Sequence, residues 1–441
     1  MTENKQNVRK MAHASLMSVM KHGRYSNIEI DSALKNAADL SDADRGLYTR
    51  LVYGVIERQL TLDHVIAQFS SRKLSDIDLP ALTSLRLGFY QLIYTDRIPE
   101  FAAVSETVDT APSRSKGFVN GVLRSFLRAG KRFTLPEGNS PEELSICYST
   151  AVDICRVFLE SYGAEETRRI LEAFFVPDRI CLRINTLKIT VPDAMERLGC
   201  GVIGSYCDDV IRVTSVDKTV RDGIAEGLWF VQDEASRICT KVLSATAGDV
   251  IADTCAAPGG KSLSASIDAG GKCETHSFDL HKNKLSLINS AAEKLGLDCI
   301  TTECRDARKP DPALIGKCDR VLCDAPCSGL GVLAKKPDIR YKDDECVGRL
   351  PEIQYDVLCG AAEYVKSGGV LVYSTCTLNK RENEEIVTKF LESHSEFSFD
   401  DFTVTPTGNM PVLVSKNGML TLFPHVSDTD GFFVARLIKN N

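Results

Sequence analysis

The sequence predicts an α/β chain, a parallel sheet covered by helices, preceded by an all-helical segment and a small mixed module. Three observations carry this. Apolar residues recur at helical spacing through the first 135 positions. From about residue 245, short apolar runs alternate with helical segments, the strand–turn–helix rhythm of a parallel sheet. Polar motifs sit just beyond those runs, at the carboxyl ends of strands, where ligands bind in such sheets.

In the first segment Leu47, Leu51, Val55 and Ile56 share a helix face, and so do Leu82, Leu85, Phe89 and Leu92. Ser41 and Asp42 offer N-cap oxygens before the first helix, and Pro80 suits the first turn of the second. Residues 94–99 read as a loop and 119–127 as another amphipathic helix. Residues 134–141 have linker composition. Residues 142–175 read as helical, and 180–185 and 210–213 as strands of a small α/β module. Six further strands are expected at 250–252, 275–278, 299–302, 320–323, 370–373 and 432–437.

The 441 residues leave room for two or three domains, and the net charge is −7. Residues 1–140 carry 19 basic and 15 acidic side chains, so the remainder is the acidic part. Arg114, Lys116, Arg124, Arg128, Lys131 and Arg132 lie in a stretch without an acid, which reads as phosphate contacts or as a solvated helix face. The charged N-terminus and the lack of a long apolar run predict a cytoplasmic protein without a membrane span. Of the 16 cysteines the first is Cys147, and no C-x-x-C or H-E-x-x-H occurs. Neither a metal site nor a disulfide framework is expected. Most thiols, such as Cys181, Cys239 and Cys323, read as small core residues.

Asp253 to Lys261 (DTCAAPGGK) leaves one strand and opens a helix that should stop at Gly270-Gly271. Glycines let backbone approach a ligand, and a helix N-terminus offers free N–H groups. Asp279 ends the next strand and is placed to accept from ribose hydroxyls, while Asp306 follows the third and could face an adenine amino group. No dinucleotide G-x-G-x-x-G and no Walker loop is present. Ribose and adenine without a pyrophosphate cradle point to S-adenosylmethionine rather than NAD or ATP.

Cys327 follows Asp324-Ala325-Pro326, and Cys376 follows Ser374-Thr375, each just past an apolar run. C5 of cytosine is a poor nucleophile. A thiolate adding at C6 makes C5 enamine-like, and a base must later remove the C5 proton so that the thiol can leave. Such a thiol must be accessible and partly ionised, which a polar loop end permits. Asp324 is placed to hydrogen-bond either the cytosine ring or the cofactor.

These residues resemble the RNA cytosine-C5 methyltransferases of the Nol1/Nop2/Sun family. The likeness covers roughly residues 180–440 through Leu182–Thr186 (LRINT), Val231–Ser236 (VQDEAS), Cys255–Lys261, Asp324–Ser328 (DAPCS), Ser374–Thr377 (STCT) and Gly431–Ala435 (GFFVA). It implies a Rossmann-like class I methyltransferase domain over residues 236–441. Cys376 would be the nucleophile and Cys327 would assist product release. The cofactor S-adenosyl-L-methionine would be bound by Cys255, Ala256, Ala257, Pro258, Gly259, Gly260, Lys261, Asp279, Asp306 and Asp324. Residues 47–63, 86–92 and 116–124 look like the helical NusB domain, which implies an RNA-binding domain over 1–138 and an RNA-recognition-like (RRM-like) module within 139–235. That combination is similar to the bacterial small-subunit rRNA branch of the family. It implies a cytosine of 16S rRNA as target, in RNA free of or only partly assembled with ribosomal proteins, and a monomeric enzyme without metal. Lys335, Lys336 and Arg340 are candidate RNA contacts. The same chemistry on tRNA or 23S rRNA, or a non-catalytic RNA-binding or antitermination factor, are the alternatives.

Overall fold

The structure, a computed structural model, describes residues 7–37, 39–176, 180–342 and 348–441. The chain packs as two compact units, one of residues 1–168 with 335–343 and one of residues 169–334 with 344–441.

The first unit is helical: α1 (Val8–His22), α2 (Ser26–Asn36), α3 (Asp42–Glu57), α4 (Gln59–Phe69), α5 (Leu79–Tyr94), α6 (Glu100–Val108), α7 (Lys116–Arg128) and α8 (Pro141–Tyr148), followed by α9 (Val152–Ala173), which is broken at Gly163. The expected start signals operate. Ser41 caps α3 by accepting from the Asp44 N–H, and Pro80 lies in the first turn of α5. Ser140 and Glu143 close a capping box on α8. Helix α5 is the central element, buried along most of its length. At Gly54 a side chain would meet the Tyr90 ring at 2.0 Å, so glycine there permits the close approach of α3 and α5. In the basic stretch around α7, Lys116 pairs with Asp109 at 2.7 Å and Lys131 with Glu100 at 3.0 Å.

Arg340 corrects an expectation. It is fully buried in this unit rather than presented to RNA. Its carbonyl accepts from the Ala151 N–H at 2.7 Å, its guanidinium donates to the Tyr148 carbonyl at 3.2 Å, and Glu57 lies 3.8 Å away. A short 3-10 turn, Pro337–Tyr341, carries it, and Tyr341 donates to the Ile56 carbonyl. The sequence offered only a basic loop; burial follows from the apolar Pro337 and Ile339 beside it.

The second unit begins with β1 (Ile180–Ile184), α10 (Val191–Leu198), β2 (Val202–Ile203), β3 (Val210–Val213), α11 (Lys218–Glu226) and β4 (Trp229–Val231). The strands pair antiparallel in the order β2-β3-β1-β4, the βαββαβ topology expected of an RNA-recognition-like fold. Leu182, Ile184, Ile211, Val213 and Trp229 face the two helices. The opposite face carries Cys181, Arg183, Val210 and Arg212, all buried, with the apolar members packed on α12 (Glu234–Leu243). RNA-recognition sheets stack bases on aromatic side chains of that face. Here it is covered by the chain itself, so the module serves packing rather than base stacking.

Next come β5 (Val250–Asp253), α13 (Gly260–Asp268), β6 (Glu274–Asp279), α14 (Lys282–Leu295), β7 (Ile300–Cys304), β8 (Cys318–Asp324), α15 (Leu350–Tyr364), β9 (Val365–Thr375), α16 (Glu384–Ser393), β10 (Phe397–Phe399), β11 (Thr403–Val404), β12 (Leu413–Val414), β13 (Met419–Leu422) and β14 (Phe432–Lys439). The main sheet runs β10-β14-β9-β8-β5-β6-β7, with β13 beside β14. Strands β9, β8, β5, β6 and β7 are parallel, as expected. The last strand departs from that expectation: β14 is antiparallel to β9. It enters from its pairing with β13 and not through a crossover helix, which a parallel neighbour would require. Among the described residues no helix is long and apolar enough to cross a membrane, and no cluster of His, Cys, Asp and Glu could hold a metal ion.

A buried ionic square joins the small module to the main sheet's helices. Arg237 reaches Asp209 at 2.7 Å and Asp268 at 2.6 Å, and Arg183 reaches the same two carboxylates at 3.0 and 3.1 Å. Removing one cation leaves two desolvated carboxylates on a single arginine. Arg237→Ala is therefore expected to cost about 3–5 kcal/mol in urea unfolding; a loss under about 1 kcal/mol would mean the carboxylates are not held by Arg237.

Candidate active site

The strand order reverses between β5 and β8, and the sequence motifs converge at the carboxyl ends on that side. The turn after β5 is tied to both neighbouring strands: the Thr254 N–H donates to the Leu322 carbonyl at 2.9 Å, and the Ala256 N–H to the Phe278 carbonyl at 2.8 Å. Gly259 has φ 110°, and a side chain there would press on Ile288 at 3.1 Å. It stands as N-cap of α13 with no side chain bonded over the first N–H groups. Gln232 supports the turn, donating to the Gly260 carbonyl at 2.9 Å and accepting from Ser264 at 2.6 Å.

Asp279 ends β6 and braces the turn, accepting from the Ala257 N–H at 3.2 Å and the His281 N–H at 2.8 Å. Beneath lies Asp253, 1 % exposed, with one oxygen on the Ser262 hydroxyl at 2.6 Å and the other without a hydrogen-bond partner. Burial, with the nearby Asp324 charge adding to it, raises the Asp253 carboxyl to about 7. Uncovered helix N–H groups and a buried acceptor with spare capacity fit a polar, nucleoside-type cofactor. Asp306 lies beyond β7. Its carboxylate takes two hydrogen bonds from the Arg308 guanidinium at 2.9 and 2.7 Å, which hold it below the ordinary carboxylate range.

Lys261, in the first turn of α13, reaches Asp324 at the end of β8 at 2.7 Å. Asp324 also accepts from Ser374 of β9 at 2.7 Å. Burial presses the lysine down, but the adjacent Asp324 carboxylate more than offsets it, and the ammonium is held well above the ordinary lysine range. The pair stands between the cofactor turn and the two cysteines. The Lys261 ammonium also lies 5.0 Å from the Phe432 ring centre, a cation–π distance.

The two cysteines meet. Cys327 Sγ and Cys376 Sγ are 3.1 Å apart, each partly accessible. The hydrogen bond to Cys376 comes first and burial second in pushing the Cys327 thiol well above its usual value. Cys327 is thus held in its proton-bearing form. Cys323, inside β8, is fully buried, and burial drives its thiol up in the same way, which leaves it inert. Burial pushes the Cys255 thiol, in the turn itself, well up too. Behind the cysteines Gly331 and Gly431 pack backbone on backbone: a side chain on Gly331 would meet the Gly431 carbonyl oxygen at 1.9 Å, and the Gly331 N–H donates to the Cys376 carbonyl at 3.0 Å.

The sequence reading quoted Gln232, Ser328 and Thr377 only within matching blocks and gave no role to Gln354, Asn379, Glu382 or Asn383, of which Asn383 donates to the Thr377 carbonyl at 2.9 Å and accepts from Thr375 at 2.6 Å. Glu382 lies in a run of charges, Lys380 to Glu385, that reads as a solvated helix start, yet it is fully buried. No periodicity signals that inversion.

A family model described as 16S rRNA methyltransferase RsmB/F matches residues 240–438, and the NusB family model matches residues 6–128. The chain is 34 % identical over 452 aligned positions to the "Probable ribosomal RNA small subunit methyltransferase B" of Bacillus subtilis (strain 168), covering 99 % of each. It is 31 % identical to the "Ribosomal RNA small subunit methyltransferase B" of Serratia proteamaculans (strain 568), covering 99 % of this chain and 100 % of that one. The crystal structure of PH0851 shares the fold, with TM-score 0.78 at 24 % identity over 98 % of this chain and 99 % of that chain.

Asp253 generates a pH signature. Its carboxyl titrates at about 7 when folded against 3.8 ordinarily. Between those values the unfolded chain has lost a proton that the folded chain keeps, so stability falls as pH rises from about 4 to about 7. Asp253→Asn is expected to lessen the fall in the urea midpoint across that range; an equal fall in both proteins would show that Asp253 is ionised throughout.

Proposed function

The chain belongs to the 16S rRNA methyltransferase RsmB/F family, and from that premise we propose that it methylates C5 of one cytosine of 16S rRNA, at position 967, through a covalent bond to Cys376. The observation that carries this reading is the 3.1 Å approach of two cysteines at the ends of adjacent parallel strands, beside a glycine turn fitted to a nucleoside cofactor.

S-adenosylmethionine supplies an electrophilic methyl group. Residues 255–261, Asp279, Asp306 and Asp324 would hold it. The chain's own residues then divide the work. The Cys376 thiolate forms a bond from sulfur to C6 of the cytosine, and the electron pair of the C5–C6 double bond makes C5 nucleophilic. Asp324, held by Lys261 and Ser374, accepts from either the cofactor or the ring's amino edge. After C5 is methylated, loss of its proton to a base restores the double bond as the C6–sulfur bond breaks and Cys376 leaves as thiolate. Cys327, held as a thiol against Cys376, assists that release. The target base must leave its stack to reach Cys376, which favours RNA free of, or only partly assembled with, ribosomal proteins. The helical unit is the RNA-docking part in this reading, and the enzyme acts as a monomer.

Two measurements test the proposal. Cys327→Ala is expected to accumulate a covalent protein–RNA adduct stable to denaturing electrophoresis. Cys376→Ala is expected to form none and to lose transfer by at least about a hundredfold; full activity in Cys376→Ala would sink the mechanism. Separately, labelled S-adenosylmethionine with protein-free 16S rRNA should mark a single cytosine in bisulfite mapping. Transfer to tRNA or 23S rRNA instead would keep the chemistry and discard the substrate, and transfer to no RNA would favour a binding factor.

A further inference from the structure

The two cysteine loops are joined by one carboxylate. Glu382 is fully buried, and its two oxygens receive four hydrogen bonds. One oxygen accepts from the Ser328 hydroxyl at 2.5 Å and the Asn379 amide at 2.9 Å. The other accepts from the Ser328 N–H at 2.8 Å and the Gln354 amide at 2.9 Å. Ser328 follows Cys327, and Asn379 lies three residues after Cys376. Gln354 reaches in from α15 and donates from the same amide nitrogen to the Pro326 carbonyl at 2.9 Å, on the other side of Cys327. Because Ser328 gives its hydroxyl proton to Glu382, the Thr377 hydroxyl 2.8 Å away donates to Ser328. The Glu382 carbonyl in turn accepts from the Tyr373 hydroxyl at 2.7 Å, which anchors the residue to β9.

We propose that Glu382 is the positioning residue of the cysteine pair: its carboxylate clamps the Cys327 loop to the Cys376 loop and so sets the contact between the two sulfurs. The proposal rests on the reading of Cys376 as nucleophile and adds what holds Cys327 against it. All four contacts are neutral donors, so only an acceptor at both oxygens satisfies them. Four donors converging on a water-excluded carboxylate are what allow the charge to be buried at all. That charge also acts on Cys327. With the Cys376 hydrogen bond, burial and Asp324, the Glu382 anion favours the protonated thiol. A glutamine places an amide nitrogen against two donors and removes the charge; an aspartate keeps the charge on a shorter reach.

The test reads thiol chemistry without RNA or cofactor, in the full-length protein. Iodoacetamide alkylation of Cys327 and Cys376 is followed separately by peptide mass spectrometry in wild type, Glu382→Gln and Glu382→Asp, beside methyl transfer to 16S rRNA. Glu382→Gln is expected to speed Cys327 alkylation about tenfold, as the thiol returns toward ordinary ionisation. It should also lower kcat about a hundredfold, with KM for S-adenosylmethionine within about twofold. Glu382→Asp should recover part of both. Unchanged alkylation rates in a folded Glu382→Gln overturn the proposal. If that variant does not fold, Ser328→Ala, which deletes one of the four donors, replaces it; Cys327 must then alkylate about threefold faster, and an unchanged rate overturns the clamp. Altered thiol rates in Glu382→Gln, with a wild-type protein that methylates no RNA, would uphold the clamp and remove the functional reading. Methylation with unaltered thiol rates would do the reverse.

Discussion

The catalytic end of the molecule depends on the parallel pairing of β8 with β9. The register sets Asp324 opposite Ser374. The chain leaves each strand at that level, and a cysteine follows within three residues on both. Neighbouring strands lie only about 4.8 Å apart, so pairing starts the two cysteine loops side by side. A slip of one residue would turn every side chain to the other face. The core forbids it: Leu322, Val370 and Val372 pack on one side of the sheet, and Val321, Cys323, Leu371 and Tyr373 on the other. Reactive geometry at the strand ends is therefore inherited from hydrophobic packing several residues away.

Around that register the second unit buries an unusual amount of polarity. The Arg183–Asp209–Arg237–Asp268 square, Arg212 with Glu234, and Glu382 with its four donors are largely withdrawn from water, and Lys261 meets Asp324 at the edge of that region. Such groups persist where charged partners face one another, and that pairing fixes their positions. The RRM-like module contributes to this rigidity. Its sheet lies against α12, and Gln232, two residues before that helix, holds the turn after β5. A module of RNA-binding topology has thus become part of the scaffold of the site. Asp253 Oδ1 beneath the turn is one of several buried polar atoms without a partner, Arg183 Nε and Gln354 Oε1 among them.

Much of this was legible in the chain. Helical periodicity marked α3, α5 and α7, and cap residues such as Ser41 and Pro80 placed their starts. Strands were placed at β5, β6, β7, β8, β9 and β14, and of these β5, β8 and β9 are parallel strands with continuous buried apolar stretches. Short strands were invisible: β2 and β4 span two and three residues and have no period to detect. The direction of β14 was misread because alternation of strands and helices says nothing about an edge that pairs by return. Arg340 was misplaced because a basic residue in a loop looks the same whether it meets RNA or a buried backbone carbonyl.

By itself the sequence determined the fold class and placed the glycine turn after β5 and the two cysteines past strand ends, since each is a local pattern: a period, a glycine step, a residue type just past an apolar run. Only the tertiary structure decided that the thiols touch, that the Cys327 thiol is pushed up by that contact and by burial, and that Glu382, Gln354 and Asn379 bind their loops together. Those are relations between residues far apart in the chain, and they exist because a parallel sheet brings distant strand ends to one edge and excludes water there. Charge and burial are properties of that enclosure, and no local run of residues carries them.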